Sequence, residues 1–192
     1  VSDLFHEEVP DEYIARVFDV MRRATQHDFQ VLTKRSARMA RLAPSLRISD
    51  NVWMGVSVES AAYVDRIEDL RKVRAKIRFL SVEPLLGPIP NLNLRHLHWV
   101  IVGGESGPRA RPVAADWVRS IRDRCIAENV RFFFKQWGGV RKHKSGRVLD
   151  GRPFILARDA ANDTRLVVQE KDRYRVLDRW PQADLMPAAR RV

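Results

Sequence analysis

The chain has 192 residues, a hydrophobic content of 45%, and 35 Lys and Arg against 24 Asp and Glu, giving a formal net charge of +11. This length and composition suffice for one well-buried domain with a tail. The charge favours contact with polyanions such as nucleic acid, and a solvated basic surface is an equal alternative. A single cysteine, Cys125, excludes an intrachain disulfide and an all-cysteine metal site within the chain.

The same composition gives expectations about location. One cysteine is typical of a reducing, cytoplasmic setting. No apolar run approaches the roughly 18 residues of a membrane span, and the amino end has no signal-peptide pattern. We therefore expect a soluble, cytoplasmic protein without a membrane partner.

The first predicted element is an amphipathic helix over residues 9–23. Pro10 and acidic residues occupy its first turn and basic residues its last turn, as the helix dipole favours. The helical period predicts that one apolar face contains Tyr13, Ile14, Val17, Phe18 and Met21.

Five short apolar runs bounded by turn residues predict parallel strands joined by crossovers, over residues 29–34, 52–59, 77–83, 98–105 and 131–136. Between them we predict helices over 36–43, ended by Pro44, over 60–73, capped by Ser60, and over 114–129. The last helix carries Cys125 on its buried face. Three prolines make 83–90 a rigid loop, and 91–97 is too short for a crossover helix, so this connection should be irregular.

Composition changes after Gly138. A basic run occupies residues 141–144, Asp150 and Gly151 predict a small hairpin, and a second hairpin is predicted within 165–177. We expect residues 1–139 to form the main domain and residues 140–192 a basic extension with these hairpins.

The most specific residue patterns are Ser2-Asp-Leu-Phe-His6, Gln30-Val-Leu-Thr-Lys-Arg35, Gly55-Val-Ser-Val-Glu59, Phe79-Leu-Ser-Val-Glu-Pro-Leu-Leu-Gly-Pro88, Trp99-Val-Ile-Val-Gly-Gly-Glu-Ser-Gly107 and Phe132-Phe-Phe-Lys-Gln-Trp-Gly-Gly139. In their order and spacing, over residues 1–153, the chain closely resembles a phage-associated family of unknown function, named after mycobacteriophage gene products thirty-seven and sixty-eight. The resemblance implies an α/β fold, a partial (β/α) TIM-like barrel of the radical S-adenosylmethionine type.

Full-length members of that family look like proteins in which three amino-terminal cysteines hold a [4Fe–4S] cluster beside S-adenosylmethionine. This sequence opens where the family continues after its second barrel strand. We therefore expect two βα units and the cysteine loop to lie upstream of Val1, through a truncated gene or a misplaced start. The chain itself should bind no metal or cluster, because Cys125 alone cannot hold one. It should be inactive alone and self-associate through an exposed strand edge near Phe29.

Chemistry in parallel sheets and barrels collects at the carboxyl ends of strands. Strand alternation aims Ser57 and Glu59 at one side, and likewise Ser81 and Glu83, and buried carboxylates need cationic partners. For these four residues a structural polar network is the alternative to a ligand site. The resemblance implies a cofactor or substrate contact at 103–105, where a tight strand-to-helix turn without a ligand is the alternative. The candidate cofactor-binding residues are Lys34, Ser57, Glu59, Ser81, Glu83, Gly103, Gly104, Glu105 and Lys135.

Four further residues flank this set. Arg109 and Arg111 follow the glycines and could hold a phosphate or carboxylate, with solvated surface as the alternative. Asp3 could face the same mouth, and we expect Trp137 to pack rather than to stack on a base.

Two functions compete. The first is a phage- or prophage-derived protein of unknown function that retains the walls of a radical S-adenosylmethionine-like site, and whether it is an enzyme stays open. The second is a non-catalytic nucleic-acid-associated protein that uses its basic surface and residues 141–144, with binding that weakens steeply with salt. A complete enzyme without a metal would need a nucleophile–base pair, and no such arrangement stands out.

Overall fold

The computed structural model describes residues 3–140, 145–153, 166–170 and 173–177. Its centre is a sheet of five parallel strands that follow one another across the sheet in chain order. The strands are β1 Phe29–Thr33, β2 Val52–Ser57, β3 Arg78–Val82, β4 Trp99–Gly103 and β5 Arg131–Gln136. The predicted α/β class and all five parallel strands are confirmed, although the first four strands end one or two residues earlier than predicted.

Four helices pack on one face of this sheet: α1 Asp11–Arg23, α2 Ser36–Leu42, α3 Arg66–Lys72 and α4 Ala115–Ala127. The helices bury apolar residues at helical spacing, as Ile14, Phe18 and Met21 do on α1. These residues join alternate strand residues such as Val56 and Leu80 in a single core. The core on this face therefore forms where the apolar stripe of each helix packs against every second residue of the strands.

Two predictions about helical residues are wrong. Tyr13 lies outside the buried stripe of α1, is 50% exposed, and carries the Arg16 guanidinium over its ring at 5.8 Å. The predicted helix over 60–73 is interrupted: a 3-10 turn at Ala61–Tyr63 comes first, and α3 begins only at Arg66. Ser60 makes no side-chain capping bond, and its backbone carbonyl accepts from the Tyr63 N–H at 3.1 Å in the 3-10 turn.

The connection between β3 and β4 is irregular throughout, as predicted. It begins with a cis peptide bond between Glu83 and Pro84. Its apolar side chains enter the helix-side core, so the loop covers β3 and β4 where a crossover helix would otherwise lie. The buried residues of this loop are Leu85, Ile89, Leu92, Leu94 and Leu97.

The other face of the sheet carries a separate apolar cluster, and no helix within the described ranges contributes to it. Trp53, Phe79 and Ile101 are buried, whereas Trp99 and Phe133 are partly exposed. Parallel sheets are normally covered on both faces, and among the described residues no helical layer covers this aromatic surface. We call it the open face, with the apolar residues Trp53, Ile77, Phe79, Trp99, Ile101 and Phe133.

Two antiparallel hairpins follow the sheet: β6 Val148–Leu149 with β7 Arg152–Pro153, and β8 Leu166–Glu170 with β9 Arg173–Leu177. Both agree with the predicted hairpins. Asp150 forms the first turn with φ of 52° and accepts from Arg119 Nε at 2.9 Å, and it also pairs with Arg122. The first hairpin is thus fastened to α4, which carries both arginines. The basic run 141–144 lies outside the described residues.

Candidate functional site

The carboxyl ends of the strands bring together the acidic and basic residues that the sequence singled out. Glu59 follows β2 and pairs with Lys34, which follows β1. Glu83 follows β3 and pairs with Lys135 of β5, with 3.1 Å between Oε1 and Nζ. Each carboxylate thus has the cationic partner that burial requires, Glu59 across adjacent strands and Glu83 across the intervening strand β4. We call this row of side chains the carboxyl edge.

Glu59 is the most enclosed carboxylate of this edge, with 5% of its surface exposed. Besides Lys34 it binds Arg66, whose NH1 lies 2.9 Å from Oε2 and also donates to the Ser57 carbonyl at 2.7 Å. Burial raises the pKa of Glu59, but the hydrogen bond and charge of Lys34 and the charge of Arg66 outweigh it and bring the pKa below its usual range. Glu59 is therefore held as a buried anion between two cations.

Arg66 is a residue of the site that the sequence did not predict. It is the first residue of α3, and only the turn at Ala61–Tyr63 brings its side chain back toward Glu59. Residues that are seven apart lie on one face of a continuous helix, but no single helix contains both Glu59 and Arg66. No local sequence signal therefore points to this contact.

Glu83 lies on the open-face side of the neighbouring strand and has fewer partners. Its Oε2 accepts from the Ser81 hydroxyl at 3.2 Å, and its Oε1 faces Lys135. Ser81 is the register partner of Ser57 on β2, so the two Ser-x-Glu phrases lie side by side. Lys34 and Lys135 flank them with side chains that are 51% and 52% exposed.

The glycines of the candidate set are required by the protein's own atoms. A Cβ on Gly103 would lie 2.7 Å from Glu83 Oε1, and a Cβ on Gly104 would lie 1.9 Å from the backbone oxygen of Trp137. The Gly104 N–H donates to the Gln136 carbonyl at 2.9 Å. Close packing of the chain after β4 against the chain after β5 therefore explains Gly104, whereas Gly103 is crowded by the side chain of Glu83.

Glu105 stands apart from the two glutamate–lysine pairs. Its carboxylate accepts from Arg111 Nε and NH2, each at 2.8 Å, and from the Arg111 backbone N–H at 2.9 Å. These bonds lower the pKa of Glu105 to about 2. Arg111 was predicted to hold a phosphate or a carboxylate, and the carboxylate it holds is that of Glu105.

Two flanking residues also have defined contacts. Asp3 lies at the end of β1, where its carboxylate accepts from the Thr33 hydroxyl at 2.7 Å and from the Lys34 N–H at 2.9 Å. Trp137 packs edge-on against Phe134 at 4.7 Å and donates its indole N–H to the Val148 carbonyl at 2.9 Å. Trp137 thus has the packing role that we expected.

On the same sheet face, toward the amino ends of the strands, the open face provides a floor of aromatic rings, and Ser57 and Ser81 lie between these rings and the glutamates. Trp99 lies at its centre, with ring centroids 5.9 Å from Trp53, 6.0 Å from Phe79 and 6.4 Å from Phe133. The Phe79 ring lies over Gly55, where a Cβ would be only 2.4 Å from it. Chemically, the surface offers flat apolar area beside two carboxylates whose lysine partners are half exposed.

An iron–sulfur cluster does not fit the residues of this chain. Three thiolates are needed to leave one iron open, and the single cysteine lies on α4 in the helix-side core. Burial raises the pKa of the Cys125 thiol well above its ordinary value, so it resists forming the thiolate that metals bind. Within the described ranges, no group of three or more His, Cys, Asp or Glu residues could hold a metal ion.

The fold defines an α/β protein built on a five-stranded parallel sheet. Among the described residues, no helix is both long and apolar enough to cross a bilayer. The chain belongs to a protein family whose description is "Protein of unknown function (DUF5131)", since the family model matches residues 1–156. Comparison with curated proteins gives no match, and comparison with solved structures gives none either.

Proposed function

We propose that the carboxyl edge and the aromatic floor of the open face form one wall of a ligand site in a partial (β/α) barrel. The observation that carries the proposal is the convergence of two glutamate–lysine pairs at the carboxyl ends of the strands, on the same sheet face as the aromatic cluster. Ligands of open α/β sheets and barrels bind at this end of the strands.

The energetics of the two pairs suit exchange with a ligand. Glu59 and Glu83 are mostly buried, whereas Lys34 and Lys135 are about half exposed. A half-exposed lysine is well hydrated and gains little from its ion pair, so it can move into solvent at small cost. An incoming ammonium or hydroxyl group can then take its place as the hydrogen-bond donor. The site therefore favours a ligand with donor groups and a flat ring.

The resemblance to phage-associated radical S-adenosylmethionine proteins suggests S-adenosylmethionine as the ligand. This molecule has the required donor groups and flat ring, namely an ammonium group, a ribose diol and an adenine ring. We propose that the chain contributes the wall of such a site. We also propose that it performs no reductive cleavage by itself, because its own residues supply no cluster ligands.

Thermal unfolding in the presence of S-adenosylmethionine tests the proposal. A ligand that binds only the folded chain stabilises it by about 2.7 kcal/mol at one hundred times its dissociation constant, and the unfolding midpoint rises. Glu83→Gln should reduce this rise, because the amide carries no charge to attract the ammonium group. Glu12→Gln is the matched control, since Glu12 is exposed on α1 at the helix face.

An unchanged midpoint at millimolar S-adenosylmethionine would remove this ligand from consideration. An equal rise in both variants would mean that the ligand binds elsewhere on the chain. Adenosine and methionine, added separately, show which half of the molecule the wall recognises.

A nucleic-acid-associated function is the second candidate. It is favoured by the excess of 35 Lys and Arg over 24 Asp and Glu, which leaves cations without carboxylate partners. Its measurable property is binding to nucleic acid that weakens steeply as salt is added, because phosphate contacts release counterions.

A further inference from the structure

The amino edge of the sheet, opposite the glutamates, holds a group of basic side chains. Arg78 and Arg131 begin β3 and β5, and Arg95, His96 and His98 lie directly before β4. Backbone bonds join them: the His98 N–H donates to the Arg78 carbonyl at 2.9 Å, and the Arg131 N–H donates to the His98 carbonyl at 3.3 Å. We call these five residues the amino-edge cluster.

The guanidinium groups of this cluster are held by neutral acceptors. Arg78 donates from Nε to the His96 carbonyl and from NH1 to the Val73 carbonyl, each at 3.0 Å. Arg95 donates to His96 Nε2 at 3.1 Å. Across the described ranges, no carboxylate lies within ion-pair distance of Arg78, Arg95 or Arg131. Their positive charges are therefore uncompensated locally.

The pKa of His98 is sensitive to the positive potential of this cluster. Its Nδ1 accepts from the Arg78 backbone N–H at 3.1 Å, which leaves the ring proton on Nε2 as a further donor. Burial lowers the pKa of His98, and the charges of Arg78, Arg131 and His96 lower it further. An anion at the cluster would oppose these charges and raise the pKa of His98.

One member of the cluster, Arg131, shares a strand face with the accessible part of the open face. Arg131 is the register partner of Trp99, and Phe133 follows it on the same side of β5. Trp99 and Phe133 are partly exposed, with ring centroids 6.4 Å apart. Cations beside accessible aromatic rings are the combination by which proteins bind single strands, with phosphates on the cations and bases stacked on the rings.

We propose that the amino-edge cluster, together with Trp99 and Phe133, is a binding surface for single-stranded nucleic acid. The bases lie against the open face and the backbone phosphates lie against Arg95, Arg131 and the Nε2–H of His98. A duplex fits less well, because its stacked bases cannot reach the rings. This inference rests on the second candidate function, and it shares Trp99 and Phe133 with the proposed ligand site, from which its test with an oligonucleotide distinguishes it.

The test measures binding of the 192-residue chain to a fluorescein-labelled oligothymidine by anisotropy at several salt concentrations. Each phosphate contact with a single strand adds about 0.7 to the slope of log affinity against log salt. The Arg95→Gln/Arg131→Gln double variant should therefore lower that slope by about 1.4. An Arg16→Gln/Arg47→Gln double variant removes the same charge from exposed positions away from the cluster and should leave the slope nearly unchanged.

Phe133→Leu separates stacking from charge, since it should weaken binding while leaving the salt slope intact. Thermal unfolding of each variant verifies that it is folded, and Arg95→Gln alone, at an exposed position, serves if the double variant does not fold. The His98 ring signals, followed by NMR, should titrate at higher pH in the presence of the oligonucleotide.

Each alternative outcome is distinct. No binding by the wild-type chain would overturn both the surface and the nucleic-acid function. Equal slope losses in the two double variants would keep that function but overturn this surface. Tighter binding of a duplex of the same length, or an unchanged His98 titration in the complex, would also overturn the assignment.

Discussion

A carboxylate oxygen of Glu83 lies 2.7 Å from the position that a Cβ on Gly103 would occupy. Glu83 thus reaches Lys135 by passing over the backbone of β4 at Gly103, which has no side chain. The next residue, Gly104, is crowded most closely by a backbone atom. At Gly104 the obstructing atom is the backbone oxygen of Trp137, at 1.9 Å. The two glycines therefore respond differently to the same substitution.

Gly103→Ala should be tolerated, because the end of a flexible glutamate side chain can move. We expect a loss of about 1 kcal/mol or less in the free energy of unfolding, together with disruption of the Glu83–Lys135 pair. Gly104→Ala must displace backbone, and it should cost about 3 kcal/mol or prevent folding. Urea denaturation of both variants measures the difference, and equal losses would contradict the packing described for this turn.

Arg111→Gln should raise the pKa of Glu105 from about 2 toward the ordinary glutamate value of about 4.3 without reaching it, since the charged donor is lost but the backbone N–H of residue 111 still donates. A lowered pKa contributes stability above the unfolded-state value, and that contribution declines as the pH falls toward 2. Between those two pH values the carboxylate stays ionised in the wild type and becomes protonated in the variant. NMR titration of the Glu105 carboxyl carbon reports both values, and Arg109→Gln is the control, which should leave the titration unchanged.

Asp150→Asn should loosen the first hairpin from α4. Asparagine tolerates the left-handed backbone of this turn, so the substitution removes mainly the charge that binds Arg119 and Arg122. Because the group is partly solvated, we expect a loss of about 1 kcal/mol or less in global stability. Faster amide exchange of Leu149 is the more sensitive readout. Exchange that matches the wild type would mean that the bond from Trp137 to Val148 holds the hairpin alone.

Cys125 should react with a thiol reagent only when the chain unfolds. The side chain is fully buried on α4, and burial raises the pKa of its thiol. The reaction rate with a disulfide reagent should be very low under native conditions and rise steeply across the urea transition. Rapid labelling of the native chain would mean that α4 opens locally without global unfolding.

The backbone arrangement was largely accessible from the sequence. Apolar runs such as 52–59 and 131–136 are bounded by turn residues, and their parallel pairing follows from the helical stretches between them. The irregular connection after Glu83 could also be predicted, since its prolines and short length rule out a crossover helix. These features depend on local pattern, which a single sequence displays directly.

The contacts within the site were less accessible. The pairing of Glu59 with Lys34 follows from strand order, but Arg66 reaches Glu59 only because a 3-10 turn precedes α3. Arg111 lies six residues from Glu105 in a loop, where spacing implies no particular geometry. Such contacts depend on loop conformation and on side-chain reach, and neither has a periodic signature in sequence.

The strands β1 to β5 lie across the sheet in chain order, so consecutive strands are neighbours and no strand is inserted between earlier ones. The polypeptide leaves the ribosome amino end first, so β2 can dock on β1 before β3 has been made, and each later strand finds its partner already in place. Pairing of this sequential kind avoids the slow search for distant partners that limits many β-rich folds. The order of the strands across the sheet is thus also the order in which synthesis supplies them.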